Sequence, residues 1–254
     1  MKVSVITVCY NSENFLTDTI HSVLSQTHPD IEYIIVDGQS EDKTVEIIKS
    51  FGSKVSKWIS EPDKGLYDAL NKGIGLATGE VVGFLHSDDM FADENVIEKV
   101  VESLACVDVD AVYGDIRFVD QINIQKVLTN RKSGNFHLWK LYLGWSPPHP
   151  TFYMRRALYD RYGVFDPSFE IAADYDSLLR YLVRYKIKTK YLPHVMVKMR
   201  VGGVSNRTMK TISRKWREDY RVMRKNDFGN LLTLFIKSMR PIAHFYKSPK
   251  YLFD

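Results

Sequence analysis

The 254-residue sequence predicts an α/β domain with a mostly parallel sheet between helices, followed by a helical C-terminal extension. Three observations carry this. Short apolar runs alternate with segments of helical period over the first hundred residues, which is the signature of βαβ units. Polar stretches rich in aspartate follow those apolar runs. From about residue 206 the chain turns basic and keeps a helical period.

Taken in order, "VSVITVC" (3–9), "IEYIIV" (31–36), "VSKWIS" (55–60) and "EVVGFL" (80–85) are expected as strands. Leu16, Ile20, Val23 and Leu24 share one helical face between the first two. Leu66, Leu70, Ile74 and Ala77 share another, and Val96, Ile97, Val100, Val101 and Leu104 a third. After residue 110, "DAVYGDIRFVD" and "INIQKVLTN" read as antiparallel strands, and "HPTFYMRR" as a further strand headed by His149. "DYDSLLRYLVRY" gives an amphipathic helix through Tyr175, Leu178, Leu179, Leu182 and Val183. Two basic helices are expected at 207–226 and 229–246, the second broken or ended near Pro241. The expected division is therefore a domain over 1–205 and an extension over 206–254.

The composition, 44% hydrophobic and 26% charged, is that of a soluble globular protein. No apolar run approaches the ~20 residues that span a bilayer. Val3–Cys9 is too short for a signal peptide and runs into Asn11-Ser12-Glu13-Asn14. Cys9 and Cys106 fit free thiols in a reducing, cytoplasmic setting. The net charge of +4 is unevenly spread: residues 205–254 hold twelve Lys and Arg against four acids, so +8 there leaves −4 for the rest. Basic residues interleaved with Trp216, Tyr220, Leu231, Leu232, Leu234, Phe235, Ile236, Phe245 and Tyr246 suit peripheral contact with an anionic membrane. They equally suit a helical pair packed on the domain. No recognition module accompanies the charge, so nucleic acid is not expected as a partner.

In a parallel sheet, ligands sit beyond the carboxyl ends of the strands. That rule gathers "YNSEN", "DGQSED", "EPDKG" and "HSDDM" into one place. Asp88 and Asp89 directly follow a buried strand. Alone, the pair is as well explained by a turn that starts a helix; together with the rule, it offers oxygen ligands to Mg²⁺ or Mn²⁺. Pro62 and Gly65 fix a tight loop around Asp63 and Lys64. On the helix after it, Asp68, Asn71 and Lys72 lie opposite the apolar face, with Lys72 expected in solvent. There is no GxGxxG or GxxxxGK[ST] loop, so bound phosphates would need a metal. His149 in "WSPPHPTF" is either part of a rigid cover or a residue of the acceptor side. "RVGGVSNR" (200–207) reads as a mobile lid or a plain connector.

These segments, with "GVFDPSFEIAADYDSLLR", resemble in order and spacing the family-2 glycosyltransferases, inverting enzymes of the GT-A fold that use nucleotide-activated sugars. The resemblance spans roughly 1–205 and is nearest the bacterial subgroup that builds O-antigen, capsule or colanic acid. It implies that Tyr10, Asp37, Asp63, Asp68 and Asp88 surround the nucleotide sugar, that Asp89 holds Mn²⁺ or Mg²⁺, and that Asp174 is the catalytic base. Asp174 also stands where an N-cap is expected, and Asp176 on another side of the helix. Gly38, His86 and Ala173 replace acids common in the family. The implied reaction moves a sugar to a hydroxyl of a glycan or lipid-linked glycan. A metal-dependent nucleotidyltransferase and a non-catalytic sugar-nucleotide binding module remain as alternatives.

Overall fold

The computed structural model describes residues 1–201 and 209–246, with side chains over 1–201 and 211–239. Strands β1 (Val3–Cys9), β2 (Ile31–Asp37), β3 (Lys57–Ser60) and β4 (Val81–Phe84) form the expected parallel block, ordered β3-β2-β1-β4. Helices α1 (Leu16–Leu24), α2 (Thr44–Ser50) and α3 (Leu66–Leu76) connect them. Beyond β4 come β5 (Met90–Phe91), α4 (Val96–Leu104), β6 (Ala111–Val119) and β7 (Val127–Arg131). Then follow α5 (Leu138–Tyr142), β8 (Tyr153–Arg155), α6 (Arg156–Tyr162), α7 (Ala173–Leu179) and β9 (Thr189–Arg200). This second half is mixed: β8 lies antiparallel between β4 and β6, β9 runs parallel to β6, and β5 closes the edge antiparallel to β9.

Alternation along β1 explains the two-sided core. Val3 and Val5 face one apolar layer with Leu16, Ile20 and Val100, while Ile6 and Val8 face the other with Leu70, Ile74 and Phe84. Gly73 lets α3 close on the sheet, since a Cβ there would lie 2.4 Å from the Ile6 side chain. Phe84 and Leu178 share the second layer, which therefore continues beneath α7.

Three expectations change. His149 heads a 3₁₀ turn, His149–Thr151, and not the strand, which starts at Tyr153; Pro148 and Pro150 flank His149 and neither can donate to a ladder. The helix of Asp174 is capped by Ala172, without a side-chain bond, so Asp174 lies in its first turn. Helix α9 (Leu231–Tyr246) continues through Pro241.

Helix α8 (Met209–Lys225) and α9 pack on the domain, with Val222, Met223, Phe228 and Leu234 buried in the layer that holds α7. The Tyr142 and Phe228 rings meet at 4.4 Å. The charge asymmetry is partly internal: Lys225 pairs with Asp166 and Asp176, Lys215 and Lys237 with Asp219, and Arg214 with Glu170. Burial pushes the Lys237 ammonium down to about 8.

Glu32 shows how the sheet is stitched below the site. Its buried carboxylate accepts from Ser4 Oγ (2.6 Å) and from Thr78 N (2.7 Å), and pairs with Lys2 and Lys57. Burial alone would raise its pKa; these donors together hold it well below the carboxylate range. Glu32→Gln is expected to lower unfolding free energy by roughly 2 kcal/mol at pH 7, the scale of hydrogen bonds to a charged group. A depressed folded pKa means this stabilisation is present above the unfolded value of 4.5 and is lost as pH falls below it. Urea titrations of both proteins should converge toward low pH; a constant gap would assign the loss to packing.

Candidate active site

The four polar segments do meet at the carboxyl rim of the parallel block. Asn11 N donates to Ser40 Oγ (2.8 Å), Ser12 N to Thr44 Oγ1 (2.7 Å), and the Ser12 and Ser87 hydroxyls lie 2.9 Å apart. Asn11 and Gln39 take left-handed backbone (φ 49° and 63°), which tightens both loops.

At the β2 end, Asp37 is fully buried. It accepts from Ser40 N and Oγ and from Ser60 Oγ, so its carboxylate is spent on fixing the 37–40 loop. The Cys9 thiol also turns to it (3.6 Å), and burial followed by the Asp37 charge raises that thiol's pKa far above its ordinary value. Tyr10 stands 62% exposed. Asp63, half-buried, accepts from Gly65 N (2.8 Å) and lies against Gly38. A Cβ on Gly38 would sit 2.4 Å from Asp63 Oδ2 and 3.5 Å from the Tyr10 ring. The glycine that replaces a familiar aspartate therefore makes room for Asp63.

Asp68 accepts from Lys64 N (3.0 Å) and so braces the entry loop of α3. Lys72 is not in free solvent: it donates to Pro62 O (2.7 Å) and pairs with Glu61 (2.9 Å), because the loop folds back over the helix.

At the β4 end the two aspartates differ. Asp88 is half-buried, and no described residue donates to its carboxylate. Asp89 is 1% exposed; Oδ1 accepts weakly from Arg200 N (3.3 Å) and Oδ2 has no partner. Burial, then the neighbouring Asp88, holds the Asp89 carboxyl well above its ordinary range. Arg200 is buried at the end of β9. It donates to Asp88 O (2.9 Å), Gln121 O (3.1 Å) and Asp18 Oδ2 (2.5 Å), and lies over the Phe15 ring. Its only sequence signal is an arginine closing a strand before paired glycines, which also fits a solvated connector.

A buried carboxylate oxygen without a donor, next to an open carboxylate, fits a hard divalent cation that completes its shell with substrate phosphates and water. Among the described residues no cluster of three or more His, Cys, Asp or Glu could hold a metal alone.

Asp174 sits half-buried on the far side. Its Oδ1 accepts from Tyr175 N (2.7 Å) and lies 3.3 Å from Tyr67 Oη. Oδ2 has no donor among the described residues. Asp176 is a different residue in kind: fully buried, it accepts from Asn226 Nδ2 (2.9 Å) and pairs with Lys225 and Arg180. It is a structural anchor and no neutral control for Asp174. Between the acidic ends lies an aromatic wall. His149 stacks on Phe84 (5.2 Å), meets Phe165 (5.3 Å) and lies 6.1 Å from His86. Burial lowers the pKa of both imidazoles, His149 to about 4. His86 feels the charges of both Asp88 and Asp174, so both carboxylates lie near it.

A mixed sheet of this order, with acids at the rim of its parallel half, defines the GT-A fold. The chain belongs to the family described as Glycosyl transferase family 2, whose model matches residues 4–172. It is 32% identical over 194 residues to an uncharacterised glycosyltransferase of Mycobacterium tuberculosis, covering 70% of this chain and 68% of that one. A PGL/p-HBAD biosynthesis glycosyltransferase of Mycobacterium bovis is 30% identical over 209 residues, covering 80% and 78%. Among solved structures, S. aureus TarS 1-349 with UDP-GlcNAc superposes with TM-score 0.69 at 19% identity, over 99% of this chain and 74% of that one. The chain spans 39% of the longer TarS chain. A mannosyltransferase of Pyrobaculum calidifontis with GDP-Man and Mn²⁺ gives TM-score 0.65 at 16% identity, over 98% and 72%. The chain is a glycosyltransferase.

Asp89→Asn tests the cation reading. Without metal the variant should melt within a few degrees of the parent, because a buried amide needs no counter-charge. The rise in melting temperature given to the parent by Mn²⁺ plus a nucleoside diphosphate should disappear. A full rise in the variant would return the pair to a turn.

Proposed function

We propose that the chain is an inverting, metal-dependent enzyme that moves a sugar from a nucleoside diphosphate to a hydroxyl of a glycan or lipid-linked glycan in bacterial surface polysaccharide synthesis. The observation that carries this is the pairing of an unpartnered buried carboxylate oxygen at Asp89 with the open Asp174 carboxylate across the His86–His149 wall. The UDP-GlcNAc and GDP-Man bound by neighbouring structures support a nucleotide-sugar donor and leave its base open.

Tyr10 would present its exposed ring to the base, Asp63 and Asp88 would accept hydrogen bonds from the nucleotide sugar, and Asp37 and Asp68 would hold the loops that bring them there. Asp88 and Asp89 would hold Mn²⁺ or Mg²⁺, whose charge offsets that on the departing diphosphate. Asp174 Oδ2 takes the proton of the acceptor hydroxyl as that oxygen attacks the anomeric carbon opposite the leaving group. Because Asp176 is tied to Lys225, Asn226 and Arg180, one carboxylate of α7 is free for chemistry. A single base suits direct displacement with inversion, without a covalent glycosyl-enzyme. His149, neutral and half-buried, would line the acceptor side as a wall and not as a charge.

The division into a domain over 1–205 and an extension over 206–254 is part of this proposal. Its outer surface supports a peripheral, cytoplasmic location at an anionic membrane. Leu231, Leu232, Phe235 and Met239 form one exposed stripe of α9, and Ile212, Trp216 and Tyr220 are exposed on α8 beside Arg217 and Arg224. The side chains of Phe245 and Tyr246, and most of the "RVGGVSNR" segment, lie outside the described residues. Among the described residues no helix is long and apolar enough to cross a membrane.

Two measurements follow. Asp174→Asn should keep its melting temperature and donor affinity, while transfer falls by roughly 10²–10⁴-fold, the range general-base catalysis supplies. Parental turnover would dismiss Asp174 as the base, and pyrophosphate in place of nucleoside diphosphate would dismiss sugar transfer. In sedimentation, the protein should pellet with anionic vesicles and stay soluble with neutral ones; equal behaviour with both removes the membrane reading.

A further inference from the structure

We infer that Glu218, on α8 of the extension, is a positioning residue for Asp174; the inference rests on the reading of Asp174 as the base. The Glu218 carboxylate is buried against the segment that leads into α7. Its Oε1 accepts from Glu170 N (3.1 Å), and its Oε2 from Ile171 N (2.9 Å) and Ala172 N (3.0 Å). Three consecutive peptide N–H groups thus point at one side chain, which fixes the planes of those peptides. Asp174 follows two residues later.

The same segment is gripped from the other side. Tyr67 Oη donates to Ile171 O (2.7 Å) and lies 3.3 Å from Asp174 Oδ1. Residue 171 is therefore held at its N–H by Glu218 and at its carbonyl by Tyr67. One turn earlier on α8, Arg214 pairs with Glu170; at the end of the helix and just past it, Lys225 and Asn226 hold Asp176. No side chain caps α7, so its start is set by these contacts. What they set is the aim of the one oxygen of Asp174 without a donor.

Packing alone would not call for a glutamate here. A buried carboxylate is tolerated only when charge-assisted bonds compensate its desolvation. Glutamine keeps the shape, and its single carbonyl oxygen can still accept two of the three N–H groups. Its amide then turns a donor toward the third. Alanine leaves all three without an acceptor.

The test compares Glu218→Gln and Glu218→Ala in the parent and in the Asp174→Asn background, reading melting temperature, donor Kd, acceptor KM and kcat. In the parent, glutamine should lower kcat by about tenfold and alanine by about a hundredfold, the scale of a misplaced reacting group. Donor Kd should stay within about twofold. Formate should restore part of the kcat of Glu218→Ala, because a free carboxylate can occupy the three N–H groups. With Asp174→Asn already present, either change should cost no more than about twofold further, since no base is left to aim. Parental kcat in a folded Glu218→Gln enzyme overturns the proposal even where the alanine variant does not fold. Equal losses in both backgrounds also overturn it, by showing that Glu218 acts elsewhere. Failure of the base reading is seen separately, as parental turnover by Asp174→Asn alone.

Discussion

Two successive aspartates at the end of a buried strand repel each other, and their placement depends on Arg200. Its guanidinium does not neutralise them head-on. It binds the Asp88 carbonyl and the Asp18 carboxylate, while its backbone N–H meets Asp89. The acidic turn is therefore fixed by its main chain, and the carboxylates are left unsatisfied. A direct ion pair would have been easier to bury and would have closed the site to a cation. Taking the arginine side chain away would leave the Asp88 and Gln121 carbonyls and the Asp18 carboxylate without their common donor.

Between the two acidic ends the protein has placed rings and not charges. Phe84, His149, Phe165 and His86 form a continuous contact, and burial keeps the histidines neutral despite nearby carboxylates. A cationic imidazole there would draw both Asp88 and Asp174 toward itself. In the proposed reaction a neutral one would stand near both the phosphate site and the base and would lend that interval low polarity.

The parallel half of the fold was legible because its strands are apolar on both faces and its loops are polar, so period and position agree. The rim acids followed from the rule for parallel sheets. What escaped was directional. Asp37 and Asp63 look alike in sequence, yet one turns inward to Ser40 and Ser60 and the other outward beside Gly38. Asp174 and Asp176 are likewise two residues apart, and Lys225 and Asn226, at the end of α8 and just past it, mark Asp176 as the anchor. Those partners are distant in sequence, and a charge count of the tail records their number without their addresses. At His149 the apolar run suggests a strand, while the prolines on either side, which lack an N–H, allow only a turn.

The two late arginine and glutamate contacts bear on the order in which the molecule is made. Arg200 reaches back 112 residues to Asp88, and Glu218 reaches back 46 to Ala172. A chain leaving the ribosome presents its N-terminal residues first, so the parallel block and its loops emerge before either contact can form. The edge pairing of β5 with β9 has the same long reach. A nascent or truncated polypeptide would thus own the parallel block and its rim aspartates while lacking Arg200 and Glu218. Those contacts wait for β9 and α8.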